Sequence, residues 1–299
     1  MRVFMTGATG YIGSRIAKLL AEAGYQVTGL VRTGQAAAML EAAGIQPLPG
    51  GLDDLDVLAR SAADSDGVVH TAFIHDFTRR AQASATDRAA IEAMAYALAG
   101  SGRPLVIASG IAGVHPSTML TEDDPGQSGP TADPRLATEQ ALVGLASTGV
   151  RTVAVRLSPT VHGPGDQGFI ARLIQAARDN RAAIMVGDGT NRWPAVHVDD
   201  AARLFVLALE SAPAGSRLHA AAEDGIPFRD IATLIARRLD VPLVALTPDE
   251  AITRLGWLGG IASLDTPASN HATQTLTGWT PVGPGLLEDM ADGDYFNKG

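Results

Sequence analysis

Residues 6–13, Thr6-Gly7-Ala8-Thr9-Gly10-Tyr11-Ile12-Gly13, carry glycines at the spacing of a dinucleotide-binding turn. The apolar run Val3-Phe4-Met5 precedes them, and apolar residues at helical spacing follow them as far as Gly24. The glycines permit a tight turn and close backbone approach, while the start of the helix directs amide donors at the phosphates. We therefore expect a dinucleotide to contact Thr6, Gly7, Thr9, Gly10, Tyr11, Ile12 and Gly13.

Predicted strands and helices alternate along the first half of the chain. After the first strand, buried strands are predicted at residues 27–31, 45–48, 67–70, 105–108 and 152–156. Such alternation implies right-handed crossovers and a parallel sheet. We predict an α/β fold, a Rossmann-type doubly wound parallel sheet with a smaller C-terminal substrate-binding lobe. Residues 1–160 would bind the cofactor and 161–299 mainly the substrate, with about 190–210 returning to the Rossmann domain.

The composition excludes several classes of function. The 299 residues include 23 basic and 32 acidic side chains, and the net charge of -9 without any basic run argues against nucleic acid. The absence of cysteine excludes disulfides and thiolate chemistry. The first apolar stretch is too short for a signal peptide or a membrane span, so we expect a cytoplasmic protein. Its expected partner is a small-molecule substrate, and a homodimer is left open.

The end of the second predicted strand bears on the choice of cofactor. An acidic residue at this place binds a free ribose 2′-hydroxyl, whereas an arginine accommodates a 2′-phosphate. The chain has Arg32 here and no carboxylate, and Arg15 in the first helix is placed to approach the same phosphate. We therefore predict a preference for NADP(H) over NAD(H), although both arginines could instead be solvated surface residues. Asp53 is a candidate for binding the adenine.

These motifs resemble those of the extended short-chain dehydrogenase/reductases, the family that includes NAD-dependent epimerases and dehydratases. The landmarks occur in the family's order at residues 6–13, 68–72, 107–109, 156–165, 196–201 and 276–281. The resemblance implies that Ser109 borders the nicotinamide and that the cofactor is also lined by Thr71, Ala72, Phe73 and Pro159.

The chain departs from the family at the usual catalytic pair, Tyr-x-x-x-Lys. Aligning on Glu139 puts Thr131 at the tyrosine position and Arg135 at the lysine position. Threonine can donate a hydrogen bond but cannot replace the phenol as an acid, while arginine can still bind ribose hydroxyls. The chain therefore resembles an atypical subgroup that keeps the cofactor turn and lacks the usual pair.

Histidines are the natural replacements for the missing acid, because their pKa lies near neutral pH. His75 and Asp76 follow the fourth predicted strand, at the edge where ligands collect, though they could also form a surface loop. His162 is a second catalytic candidate that could equally be structural. His70 is predicted to be buried at a strand end. No histidine or carboxylate spacing predicts a metal site.

Residues 187–194 resemble the segment that carries a substrate-binding arginine in the nucleotide-sugar enzymes of the family. Arg192 could hold an anionic group, and Trp193 could contact the substrate or pack in the core. The leading hypothesis is an NADP(H)-dependent oxidoreductase of a small or medium carbonyl or alcohol compound, with a non-tyrosine proton donor. The alternatives are a nucleotide-sugar epimerase or dehydratase and a catalytically silent NADP-binding sensor.

Overall fold

Seven parallel strands form the central sheet of the protein. The computed structural model describes residues 1–74, 79–114, 119–126 and 133–297, and of Arg80 the backbone only. In spatial order the strands are β10 (Ser216–Ala220), β6 (Arg151–Leu157), β5 (Pro104–Gly110), β4 (Gly67–His70), β1 (Arg2–Thr6), β2 (Gln26–Val31) and β3 (Gln46–Pro49). The order reverses between β1 and β4, so a crevice is expected beside their carboxyl ends.

Helices cover both faces of this sheet. One face carries α1 (Gly13–Glu22), α2 (Gly34–Ala42) and α7 (Val198–Ser211). The other carries α3 (Leu55–Ala63), α4 (Arg80–Leu98) and α5 (Pro134–Leu145). Within β1, Val3 and Met5 pack toward the first face and Phe4 toward the second, because successive side chains of a strand point in opposite directions. Both faces are thereby buried, which explains the nearly continuous apolar character of the strands.

A smaller lobe has its own core. Its strands are β7 (Thr160–His162), β8 (Ala183–Val186), β9 (Arg192–His197), β11 (Glu223–Pro227) and β12 (Leu243–Leu246). They form a three-stranded sheet of order β11-β9-β7 and a pair, β12-β8. The helices of this lobe are α6 (Phe169–Asn180), α8 (Phe228–Leu239), α9 (Pro248–Leu255), α10 (Trp257–Ala262) and α12 (Leu286–Asp292). Every described helix is too short or too polar to cross a membrane.

The chain returns to the central sheet after forming β9. Helix α7 packs against α1, and β10 adds the outermost strand beside β6. Helix α11 (His271–Thr277) lies against α7 and β10. Beyond it, Trp279 is buried in the same core as Val3 and Phe205, and its indole nitrogen donates to the carbonyl of Asp200 at 2.9 Å. The core on this face of the central sheet therefore includes residues from the last part of the chain.

The structure confirms the predicted fold class and each predicted strand of the first half to within two residues at either end. The seventh strand, β10, was not predicted. Within the range that we expected to rejoin the Rossmann domain, about residues 190–210, β9 belongs to the smaller sheet and α7 packs on the central sheet. Strand β10 then joins the central sheet beside β6.

Trp193 provides a test of the second core. Its ring lies 5.0 Å from that of Phe228 and 6.0 Å from that of Phe169 (centroid to centroid), with no solvent exposure. We expect Trp193→Ala to lower the free energy of unfolding by about 3–5 kcal/mol in denaturant titrations. Trp257→Ala is the control, because Trp257 is 40% exposed and its loss should cost less. A smaller effect for Trp193→Ala than for the control would contradict this packing role.

Candidate functional site

The glycine turn joins β1 to α1 at the carboxyl edge of the sheet. Gly7 has φ +74°, a conformation that favours glycine, and a Cβ there would lie 2.6 Å from the amide nitrogen of Ala72. A Cβ on Gly13 would overlap the carbonyl oxygen of Gly7. No described side chain caps the start of α1, and the amides of Ser14 and Arg15 donate to the carbonyl oxygens of Gly10 and Ile12 at 2.9 Å and 3.1 Å. Among the described residues, the amides of Ile12 and Gly13 are therefore the ones that can serve a phosphate. This geometry fits the pyrophosphate of a dinucleotide.

The segment after β4 packs directly on this turn. The Thr71 hydroxyl donates to the carbonyl oxygen of Thr6 at 3.0 Å, and the Ala72 amide donates to the Thr6 hydroxyl at 3.3 Å. The Phe73 ring lies under the guanidinium of Arg135, 4.0 Å from its central carbon to the ring centroid. Residues predicted to line the cofactor thus lie beside the turn.

Arg135 connects three elements at the same edge. It sits in the first turn of α5, stacks on Phe73 after β4, and donates to the carbonyl oxygen of Ala108 in β5 at 3.1 Å. A guanidinium is permanently charged, so Arg135 supplies a fixed positive charge beside the ends of β4 and β5. The structure therefore brings Arg135 to the predicted cofactor edge, while its partner position Thr131 lies outside the described residues, as do His75 and Asp76.

Ser109 belongs to a buried ionic cluster. Its hydroxyl donates to Glu139 at 2.6 Å, and Glu139 also accepts from Arg156 at 2.7 Å and from Arg217 at 3.0 Å. The side chains of Glu139 and Arg156 are fully buried. Burial opposes the negative charge, but the hydrogen bonds and positive charges of Arg156, with Ser109 and Arg217, outweigh it and hold the pKa of Glu139 below its usual range.

The same cluster extends to the second half of the chain. Arg156 Nη1 lies 3.3 Å from Nε2 of His219, whose Nδ1 donates to the carbonyl of Ser269 at 2.8 Å. Burial lowers the pKa of His219, which favours the neutral ring that accepts from Arg156. In the sequence, Glu139 served only to align the chain with the family's Tyr-x-x-x-Lys pattern, and the ionic cluster around it was not predicted. An arginine inside the apolar strand β6 was the available signal.

His162 lies in the interior at the end of β7, and the next residue, Gly163, accepts a hydrogen bond from the Tyr11 hydroxyl of the glycine turn at 3.2 Å. Its side chain is buried, and Nδ1 donates to Asp289 of α12 at 2.8 Å. Burial lowers the pKa of His162 despite the opposing effect of Asp289. The ring packs against that of His197 at 5.5 Å between centroids. A side chain that joins β7 to α12 in this way is structural in character, and we do not propose it as the acid.

Arg32 is exposed directly after β2, as the sequence predicts. The next residue, Thr33, caps α2 by accepting from the Ala36 amide at 3.2 Å. No carboxylate among the described residues pairs with Arg32. Asp53 is also exposed, between β3 and α3, at the same edge of the sheet.

Arg15 does not point toward the site of Arg32, which corrects our expectation that both arginines approach the 2′-phosphate. Its guanidinium donates to the carbonyls of Tyr11 at 2.9 Å and Pro164 at 2.6 Å and pairs with Asp199 at 3.2 Å. These partners commit Arg15 to the neighbourhood of β7 and α7. The Tyr11 hydroxyl donates to the Gly163 carbonyl at 3.2 Å, so the turn itself is also attached to this segment. Pro159, half-buried, lies between β6 and β7.

The predicted substrate residues occupy different environments. Arg192 forms a two-pronged ion pair with Asp265, at 3.1 Å and 2.9 Å, which neutralises the charge expected to hold an anionic substrate. Trp193 is fully buried and donates to the carbonyl of Leu264 at 3.2 Å. Of the two readings open for Trp193, the structure places the side chain in the core.

A glycine turn between the first strand and the first helix, beside the carboxyl ends of a parallel sheet, defines a Rossmann-type dinucleotide-binding protein. A family model for the NAD dependent epimerase/dehydratase family matches residues 3–220, so the chain belongs to that family. Its members bind NAD(P) cofactors. The missing Tyr-x-x-x-Lys pair places the chain in an atypical subgroup.

The chain is also similar to individual proteins in sequence and in fold. The chain is 45% identical over 296 residues to the uncharacterized protein C2A9.02 of Schizosaccharomyces pombe, covering 99% of this chain and 100% of that protein. It is 28% identical over 272 residues to the 2-alkyl-3-oxoalkanoate reductase of Stenotrophomonas maltophilia, covering 85% and 79%. Its fold is similar to that of MoeE5 in complex with UDP-glucose and NAD, with TM-score 0.77, 22% identity and coverage of 100% and 99%.

The buried ionic cluster predicts a strong effect of removing one charge. We expect Glu139→Gln to lower the free energy of unfolding at neutral pH by about 3–5 kcal/mol, because Arg156 is left buried without its main counter-charge. Denaturant titration measures this change. The control Glu92→Gln, which removes an exposed pair with Arg88, should cost about 0.5 kcal/mol or less.

The difference between wild type and Glu139→Gln should also depend on pH. A carboxylate with a lowered pKa in the folded state stabilises the protein above its unfolded pKa, about 4.3 for glutamate, and this contribution is lost as the pH falls through the folded value. The two proteins should therefore approach each other in stability in acid. A difference that grows on acidification would contradict the charged state assigned to Glu139.

Proposed function

We propose that this protein is an NADP(H)-dependent oxidoreductase that interconverts a carbonyl compound and the corresponding alcohol. The observation that carries the proposal is the cofactor edge itself, where the glycine turn, Phe73 and Arg135 adjoin and Arg32 stands at the end of β2. The similarity to a reductase of 2-alkyl-3-oxoalkanoates supports a ketone as the oxidised substrate.

The cofactor would supply hydride from the nicotinamide to the carbonyl carbon, leaving the oxygen to take a proton. Arg135 stays charged and cannot release a proton near neutral pH, but its positive charge favours the negative charge that develops on the substrate oxygen. The Ser109 hydroxyl donates to Glu139, so its proton is committed to that carboxylate. His75, with Asp76, remains our candidate proton donor, with Thr131 as the alternative from the sequence.

The ion pair between Arg192 and Asp265 weighs against the epimerase or dehydratase alternative. Nucleotide-sugar substrates carry a diphosphate, and the arginine expected to hold such a group is neutralised by a carboxylate at 2.9 Å. The similarity to MoeE5 with UDP-glucose concerns the fold, at 22% identity. We therefore place the reductase first and the nucleotide-sugar enzyme second.

A substrate screen tests the proposal directly. We expect the protein to oxidise NADPH in the presence of one or more ketones from a panel of aldehydes, ketones, enones and imines. Gly13→Ala should abolish this oxidation, because the new Cβ overlaps Gly7 and opens the turn. Gly144→Ala on α5 is the matched control, since a Cβ there meets no described atom within 4 Å.

The other outcomes of the screen identify the alternatives. Binding of a nucleoside diphosphate sugar with tightly retained NAD, and no turnover of carbonyls, would favour the epimerase or dehydratase. Stoichiometric NADPH binding without turnover of any compound would favour a sensor protein.

Arg32 determines the expected choice between the two cofactors. A charge-assisted arginine contact to a phosphate is worth about 1.5–3 kcal/mol, so Arg32→Ala should weaken NADPH binding about ten- to a hundredfold and leave NADH nearly unchanged. Calorimetric titration with each cofactor measures this difference. Arg237→Ala, an exposed arginine on α8, is the control. An equal loss for both cofactors would refute the contact to the 2′-phosphate.

A further inference from the structure

A chain of three buried polar side chains lies directly behind the glycine turn. The Thr6 hydroxyl is 2.8 Å from Nδ1 of His70, and Nε2 of His70 is 3.0 Å from Oδ1 of Asp87. Their residues are 0%, 1% and 4% exposed. These three hydrogen-bonded side chains connect the end of β1 and the end of β4 to α4. None of them belongs to the ionic cluster around Glu139.

The hydrogen bonds define where the protons lie. The carboxylate of Asp87 can only accept, so Nε2 of His70 carries a hydrogen and donates to it. The Thr6 hydroxyl oxygen accepts from the Ala72 amide. Among the described residues, Nδ1 of His70 is the acceptor within reach of the Thr6 hydroxyl hydrogen. We therefore assign His70 the neutral tautomer with hydrogen on Nε2, which satisfies every bond in the chain.

The series of hydrogen bonds from Asp87 through His70 ends at the glycine turn. Thr6 is its first residue, and its hydroxyl and carbonyl oxygens accept from Ala72 and Thr71 respectively. A Cβ on Gly7 would lie 2.6 Å from the Ala72 amide nitrogen, so the two backbones touch without an intervening side chain. A small displacement of Thr6 or Ala72 therefore moves the amides of the turn that face the phosphates.

We propose that His70, oriented by Asp87, is a positioning residue for the dinucleotide. It fixes the direction of the Thr6 hydroxyl, and through Thr6 and Ala72 it holds the phosphate-binding turn against the segment that follows β4. Buried polar groups are costly unless they are hydrogen-bonded, and hydrogen bonds specify direction in a way that apolar packing does not. His70 touches neither cofactor nor substrate in this role, so its effect is on affinity for the cofactor.

Substitutions of Asp87 separate positioning from general stability. We expect Asp87→Leu to raise the dissociation constants of NADPH and NADH together by about tenfold, because His70 loses its acceptor and Thr6 its fixed partner. Asp87→Asn keeps an acceptor oxygen for Nε2 and should leave both constants within about twofold of wild type. Glu92→Leu, on the same helix, is the control. Calorimetry well below each variant's unfolding temperature gives the constants.

Each outcome decides the proposal. A lower unfolding temperature for Asp87→Leu with unchanged cofactor affinity would show that the chain is structural only and would overturn the proposal. Long-range proton–nitrogen NMR spectra of the wild-type protein provide the second test, which does not need a variant to fold. They should show His70 with hydrogen on Nε2 alone, and hydrogen on Nδ1 would overturn the assignment. Calorimetry measures cofactor binding and NMR measures the tautomer of His70, so neither result depends on whether a carbonyl compound is reduced.

Discussion

The contact between two stretches of backbone, residues 6–13 and 71–72, is the constraint on which the site depends. Neither Gly7 nor Gly13 has room for a Cβ, so the turn closes only with glycine at both positions. The sheet makes this contact achievable because β1 lies between β2 and β4, and its parallel neighbours end at the same edge. Phe73, Arg135 and Arg32 reach the same edge because they follow or adjoin those strand ends.

The sequence predicted the parts of the fold that leave a local signal. A glycine turn, a run of buried aliphatic residues and a helical apolar period are each visible within about a dozen residues. Strand β10 has no such signal, since Arg217 and His219 interrupt its apolar character. Their partners, Glu139 and Arg156, lie in other parts of the chain. Polar residues in this strand are explained by the fold and could not be read from the strand alone.

The same reason limits what could be predicted of the site. Pairs such as His162 with Asp289 and Arg192 with Asp265 join residues that are 127 and 73 positions apart. Residue type suggested a catalytic role for His162 and a substrate-binding role for Arg192, and the carboxylate that pairs with each was not visible from the sequence. Arg15 was likewise placed by its helix position, whereas Pro164 and Asp199 determine where its guanidinium lies. Function assigned from a single side chain is incomplete until its partner is known.

The position of Trp279 has a consequence for how the protein folds during synthesis. The core on one face of the central sheet contains α7, β10 and this indole, although the sheet itself begins at residue 2. Strands β4 and β5 leave the ribosome well before α7, which packs on them. Until α7 emerges, the apolar surface of these two strands on that face stays uncovered, a state prone to aggregation.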